Sequence, residues 1–453
     1  MAAAPFIAAV LIFVALTLAI TWPAASVVGI RLIGDLGDPL FVTWVMTWVM
    51  SHLSRAAGGD VSALEGFWHA NIFYPERYTL AYSEHFVGQS LQVLPLWWIT
   101  GNAVLSYNLV VLSTFVLTGL GTFLLTRALT GGWVGPLLAG VMATFNPYRL
   151  ELELSHLHVL SIQWLPLALV AVHGFIRSGS RRYLLATALC VLALNLSSVY
   201  FMLFCAPVLA LFTLVDLTLQ GKLPDSSRWA GLAVAGAGIV LMTAPFVLPY
   251  WRVNLEMGFE RSFAEIRAHS ATLSQYAEYL LPWAHLPLLF AALGAVAAFL
   301  PRPPASRALI LTVIGLLALV FVLSLGPVLP VAQVRGPYWL LYEYVPGFRG
   351  LRVVNRYGAL VFDLSTGSCR RRRCVGRPLA AFRASSRARC NRRLSLAGVA
   401  GRHAHQRCTA LTRAAASTQV SEPRAYAARY LPSGSNARQR CRPRGVSVWR
   451  SLV

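Results

Sequence analysis

The amino-acid sequence predicts an all-α, polytopic membrane bundle of about nine or ten spans, on three observations. Of its 453 residues, 57% are apolar and 12% charged, against roughly 25% charged in an ordinary soluble domain. Apolar runs recur from position 6 to 330, each close to the ~20 residues a helix needs to cross a bilayer. The short connections between those runs that carry Arg127, Arg177, Arg181, Arg182, Lys222, Arg228, Arg302 and Arg307 all fall on one side, in agreement with the bias of Lys and Arg toward the cytoplasm.

The first run, Phe6 to Val28, has no basic residue before it, exceeds the usual length of a signal-peptide core and leads directly into further apolar segments. It reads as a retained span; a cleaved signal is the alternative, because Ala24-Ala25-Ser26 imitates a cleavage site. Residues 30–102 follow as a first external loop of mixed polarity. Its apolar stretches, Phe41 to Met50 and Leu91 to Ile99, are short for spans and suit interfacial helices, where Trp44, Trp48, Trp97 and Trp98 keep their rings in lipid and their N–H groups in water.

Further spans are expected at 104–126, 131–147, 158–176, 183–197, 199–218, 229–250, 284–301 and 308–330. With a cytoplasmic N-terminus, Arg127, then Arg177, Arg181 and Arg182, then Lys222 and Arg228, then Arg302 and Arg307 all face the cytoplasm. Residues 30–102, 148–157, 252–283 and 331–355 then lie outside. A tenth span opens near Arg356 but stops after Tyr357 to Leu364, too few apolar residues to cross ~30 Å of hydrocarbon at ~1.5 Å per residue.

The net charge of +22 suggests nucleic acid until it is divided along the chain. Up to Leu364, 19 Arg and Lys face 16 Asp and Glu, a net +3; from Ser365 on there are 20 Arg, no Lys and one Glu, a net +19. The chain therefore divides into a membrane domain, 1–364, and an Arg-rich tail, 365–453. The tail reads either as a disordered polybasic segment drawn to anionic lipid or, the favoured reading, as the product of a shifted reading frame, because it follows an unfinished span. Apart from that tail nothing supports a nucleic-acid partner. Cys190 and Cys205 lie in apolar runs, and Cys369, Cys374, Cys390, Cys408 and Cys441 lack paired CxxC spacing, so neither a disulfide framework nor a zinc site is expected.

Candidate chemistry gathers in the outer segments. Gly34-Asp35-Leu36-Gly37-Asp38-Pro39 forces a turn that holds two carboxylates at the membrane surface; on these residues alone a solvated, helix-capping turn is an equal reading. Ser83-Glu84-His85 ends the same loop and reads otherwise as an ordinary polar connection. Asn146-Pro147-Tyr148-Arg149 is followed by Glu151, Glu153, His156 and His158, a density of polar groups that suggests a polar cavity at a span's end; a structural hydrogen-bond network is the plainer reading of the histidines. Glu151 and Glu153 share a face only on a strand, so no metal site is assigned. In Pro346-Gly347-Phe348-Arg349-Gly350-Leu351-Arg352, with Arg356 a turn later, guanidinium groups suit phosphate or lipid headgroups.

The order of these features resembles the GT-C superfamily of membrane glycosyltransferases. Gly37-Asp38-Pro39-Leu40 with Trp44, Ala70-Asn71-Ile72-Phe73-Tyr74-Pro75, Ser155-His156-Leu157 with Gln163-Trp164-Leu165-Pro166, and Val345-Pro346-Gly347-Phe348 look like bacterial polytopic proteins grouped with it. The resemblance covers most of residues 1–364 and none of the tail. It implies a multi-pass protein of the bacterial cytoplasmic membrane that moves a sugar from a polyprenyl-phosphate carrier to an extracytoplasmic acceptor, inverting the anomeric centre. Asp38 best matches the catalytic Asp of the first external loop, with Asp35 the alternate. Glu84, His85, Arg149, His156, Arg352 and Arg356 are then candidates for substrate binding, and a bound divalent cation is an alternative to arginine for stabilising the departing phosphate. A transporter or flippase for a lipid-linked sugar, and a non-catalytic assembly protein, are the competing readings. The first calls for ionisable groups deep within the spans, and the sequence reading finds no buried charge ladder.

Overall fold

A computed structural model describes residues 3–258, 260–280, 304–330 and 333–365. The expected span at 284–301 and nearly all of the Arg-rich tail lie outside the described residues. Among those described, regular structure is helical throughout except for one isolated antiparallel bridge between Val328 and Arg335.

Helices α1 (Ala3–Ile20), α2 (Asp38–Ala57), α3 (Ser62–Glu65) and α4 (Val87–Thr100) build the N-terminal part. They are followed by α5 (Ala103–Thr130), α6 (Val134–Thr144), α7 (Leu157–Leu160), α8 (Trp164–Ser178), α9 (Arg181–Ser197), α10 (Val199–Leu219) and α11 (Ser226–Met257). The chain closes with α12 (Phe263–Ala268), α13 (Leu273–Leu280), α14 (Pro304–Ser324), α15 (Pro337–Tyr344) and α16 (Gly358–Ser365).

Among the described residues four stretches are long and apolar enough to cross a membrane: α5, the continuous run Leu157–Ser178 through α7 and α8, α10 and α11. At ~1.5 Å per residue the 28 residues of α5 reach about 42 Å, well beyond ~30 Å of hydrocarbon. Several expected spans are shorter than the apolar runs suggested. Helix α1 ends at Ile20 instead of Val28, where Pro23 has no N–H with which to continue the ladder. Helix α6 has only 11 residues, about 17 Å, because Asn146-Pro147 follows it. Helix α2, by contrast, runs for 20 residues: the polar Ser51, His52, Ser54 and Arg55 end the apolar stretch without ending the helix.

Among the described residues three buried clusters hold these elements. One joins α2, α4 and α5 through residues such as Val45, Val49, Phe86, Tyr107 and Phe115. A second joins α8, α10, α14, α15 and α16 through Leu169, Phe204, Val320, Tyr338 and Leu360. The third seats Phe13 of α1 against α5 and α6. There a Cβ on Gly119 or Gly140 would come within 2.4 Å or 2.5 Å of the Phe13 ring, so the missing side chains are what let the ring in, as small residues do between membrane helices.

Chain direction sorts charge to the two ends of the bundle. Arg127 lies in the last turn of α5, Arg177 in the last turn of α8, Arg181 and Arg182 open α9, and Arg228 lies in the first turn of α11. The opposite end receives the start of α5, the connection 145–156, the start of α10 and the strap 348–357 that precedes α16.

Candidate functional site

The acidic turn is pinned to α5 by one buried residue. Asn108 donates to the carbonyls of Val28 and Arg31, at 2.7 Å each, and accepts from the Ile33 N–H at 2.9 Å. Beyond it the chain reverses at Gly34, whose φ of +103° belongs to glycine and whose Cβ, were there one, would lie 2.8 Å from Ser155 Oγ. Ser155 Oγ in turn accepts from the Asp35 N–H at 3.1 Å. The Asp35 side chain accepts from the Gly37 N–H at 2.8 Å, so one carboxylate shapes the turn. The other, Asp38, sits in the first turn of α2 beside Pro39, where the positive end of the helix dipole favours a negative charge.

The connection between α6 and α7 delivers the partner groups. After Asn146-Pro147 the chain makes a single π turn, Tyr148–Leu152, closed by the Glu153 N–H donating to the Tyr148 carbonyl at 3.0 Å. This wide turn leaves Glu151 exposed and buries Glu153. Three residues later the His156 imidazole lies between two carboxylates: Nδ1 is 3.0 Å from Glu153 Oε2, and Nε2 is 3.4 Å from Asp38 Oδ2. The burial is graded along this row, with side chains 11% exposed at Glu153, 32% at His156 and 56% at Asp38. Its contact with Glu153 raises the pKa of His156 above the ordinary imidazole value, burial and Arg356 oppose that shift, and Asp38 adds to it.

Behind Glu153 a cavity of about 100 Å³ is lined by Tyr148, Glu153, Gln275, Tyr276, Asn355 and neighbouring residues. Its lining sets the polar groups of Glu153, Gln275 and Asn355 among a larger apolar share, and it is roomy enough to hold water. The strap that closes it also carries the arginines. The Arg352 N–H donates to Tyr200 Oη at 3.0 Å, and the Arg356 guanidinium lies 5.2 Å from the Tyr200 ring centroid. Arg356 is thereby the nearby cation felt by His156, Glu84 and Tyr148, while the Arg352 side chain is exposed.

The remaining sequence candidates are engaged elsewhere. Glu84 is buried and caps α10, accepting from Ser198 Oγ at 2.9 Å, Val199 N–H at 2.8 Å and Tyr200 N–H at 3.2 Å; burial raises its pKa, and the three donors and Arg356 counter that. His85 packs against Trp68, Phe246 and Tyr250 and accepts from the Val87 N–H at 3.2 Å, and burial pulls its pKa down to about 3. Arg149 points into the protein, where Nη2 donates to the Leu160 carbonyl at 3.2 Å and the guanidinium lies 5.3 Å from the Phe115 centroid. Of the eight sequence candidates, Asp38 and His156 meet directly, Asp35 shapes the same turn and reaches Ser155 through its N–H, Arg356 stands nearby, and Arg352 lies on the same strap.

Sequence reasoning passed over Asn108 and Tyr200, quoted Ser155 only as part of a motif, and left Glu153 unassigned. It also passed over His173 on α8, whose Nδ1 lies 2.9 Å from Asp216 Oδ2 on α10, both buried; an ionisable residue within each of two apolar runs was the available signal. Among the described residues no group of three or more His, Cys, Asp or Glu is placed to hold a metal ion. No family model, curated protein or solved structure matches the chain.

Proposed function

We propose that the protein is a membrane glycosyltransferase that moves a sugar from a polyprenyl-phosphate carrier to an acceptor hydroxyl on the extracytoplasmic side, with Asp38 as the general base. One observation carries this reading: an accessible carboxylate is held at a helix N-terminus, backed by His156, with the Arg356 cation alongside, at the end of an apolar helical bundle away from its basic connections. The basic end supports a cytoplasmic assignment for Arg127, Arg177 and Arg228, which turns Asp38 outward. In the reaction Asp38 accepts the acceptor's O–H proton as that oxygen bonds to the anomeric carbon. The bond from that carbon to the phosphate oxygen breaks, and polyprenyl phosphate leaves as an anion beside Arg356. A single displacement inverts the anomeric configuration.

The buried His173–Asp216 pair favours a second reading, a proton-coupled transporter or flippase for a lipid-linked sugar. Among the described residues it is one pair, near the basic end: Asp216 lies in the last turn of α10 and accepts from Gln220, just beyond the helix, at 3.4 Å. The deciding experiment presents the purified protein in lipid nanodiscs with radiolabelled polyprenyl-phosphate hexose and hydroxyl acceptors. Label transferred with inverted configuration supports the enzyme. Intact donor after prolonged incubation across an acceptor panel, together with donor translocation in vesicles, replaces it with the transporter.

A further inference from the structure

Asp38 faces solvent, yet the row it begins runs inward through His156 to Glu153 and ends at a cavity of about 100 Å³ that Glu153 lines with Gln275 and Asn355. A base that needs only to exchange its proton with water needs no such row. The two contacts are also unequal. The His156 nitrogen facing Glu153 is at ion-pair contact, 3.0 Å, whereas the nitrogen facing Asp38 stands off at 3.4 Å. The 3.0 Å contact is an ion-pair distance without hydrogen-bond geometry; a small rotation of the ring would turn Nδ1–H onto Glu153 and leave Nε2 to take a proton, the orienting relation between a carboxylate and a histidine in hydrolytic triads.

We propose that His156, oriented by Glu153, is the proton store for Asp38, receiving at Nε2 the proton that Asp38 removes from the acceptor. The step balances without a further reagent. The acceptor O–H bond breaks and an Asp38 O–H bond forms; that O–H then breaks as Nε2–H forms, leaving Asp38 ionised and His156 an imidazolium between two carboxylates. Glu153 keeps the Nδ1–H throughout. After product leaves, Nε2–H returns its proton to solvent past the exposed Asp38. The groups facing His156 are Asp38 on α2, Glu153 in its own connection, Arg356 on the strap and His158 on α7, whose ring centroid is 6.1 Å away. The two carboxylates favour the imidazolium and Arg356 opposes it. Within the cavity, Gln275 and Asn355 are the polar neighbours that line it beside Glu153, which is otherwise nearly enclosed. His156 is a positioning and proton-storing residue; Asp38 alone touches the acceptor.

This proposal rests on the glycosyl-transfer reading, and its test separates the two. Full-length protein with ¹³C- and ¹⁵N-labelled histidine is titrated by NMR in nanodiscs, and His156→Gln assigns the His156 signals. The expected result is that His156 titrates above free imidazole, falls toward the ordinary value in Glu153→Gln and falls in Asp38→Asn. A His156 titration unmoved by Glu153→Gln overturns the proposal, whatever the activity. On polyprenyl-phosphate hexose, neutral His156 is the competent form, so the acid limb of kcat moves to lower pH in Glu153→Gln and disappears in His156→Gln. His156→Gln is expected to lose about tenfold or more in kcat with KM held. An unshifted acid limb in both variants overturns the relay and leaves Asp38 as base, whereas a wild-type protein with no turnover overturns the glycosyl-transfer reading and the relay with it. Should His156→Gln fail to fold, His156→Asn takes its place and Glu153→Gln carries the pH comparison.

Discussion

Replacing Asn108 by leucine isolates what fixes the acidic turn, because leucine keeps the shape of the side chain and removes all three of its hydrogen bonds. The Ile33 N–H is buried and loses its only acceptor, at about 1–3 kcal/mol. The Val28 and Arg31 carbonyls are half-buried, so water partly replaces the lost donor and each bond counts for about 0.5–1.5 kcal/mol. The structure therefore gives a loss of about 2–6 kcal/mol, concentrated at residues 28–38, because the Asn108 side chain bonds outward from the second turn of α5 and its own helix needs none of these bonds. Hydrogen exchange with peptide resolution reads this directly. At ~1.4 kcal/mol per factor of ten, exchange across 28–38 should quicken by roughly 30-fold to 10⁴-fold, while peptides from α8 and α10 keep wild-type protection. Unchanged exchange at 28–38 would refute the reasoning that Asn108 positions Asp38; uniform acceleration would show that it holds the bundle instead.

Gly34→Ala forces a side chain into the left-handed region at φ +103° and to 2.8 Å from Ser155 Oγ, so loss of about 1–3 kcal/mol in thermal stability is expected, with weakened His156–Asp38 coupling in the histidine titration; a neutral effect on both would contradict the close approach of the two loops. His85 contributes acid sensitivity: its folded-state pKa of about 3 lies below the ordinary 6.5, so between those values the unfolded chain binds the extra proton and stability falls as pH falls. His85→Leu should therefore show a smaller drop in Tm from pH 7 to pH 5 than wild type, and an equal drop would remove His85 from that account.

The apolar runs made the long helices legible, because α5, α10 and α11 need little beyond length and composition to declare themselves. Helix ends were less legible: Pro23 and Asn146-Pro147 stop α1 and α6 early, and the polar half of α2 hid a continuous helix behind a short greasy stretch. In the site, Asp35, Asp38 and His156 stood out as polar groups crowded between spans. What joins them did not, since Asp35 and Ser155 meet across 120 residues of chain and the π turn that separates Glu151 from Glu153 has no simple sequence period. Glu84 illustrates the opposite case. A conspicuous carboxylate next to a histidine looked like a binding pair, but the N–H groups at the start of α10 claim it, and only the fold reveals that partner.

Asp38 is the group on which the account turns, and turnover by the purified Asp38→Asn protein in nanodiscs, on polyprenyl-phosphate hexose near neutral pH, tests it most directly. Asparagine keeps size and polarity but cannot accept the acceptor's proton, so the account predicts kcat lower by about 10²–10⁴-fold with donor binding retained. Asp38→Asn turning over at the wild-type rate would contradict it.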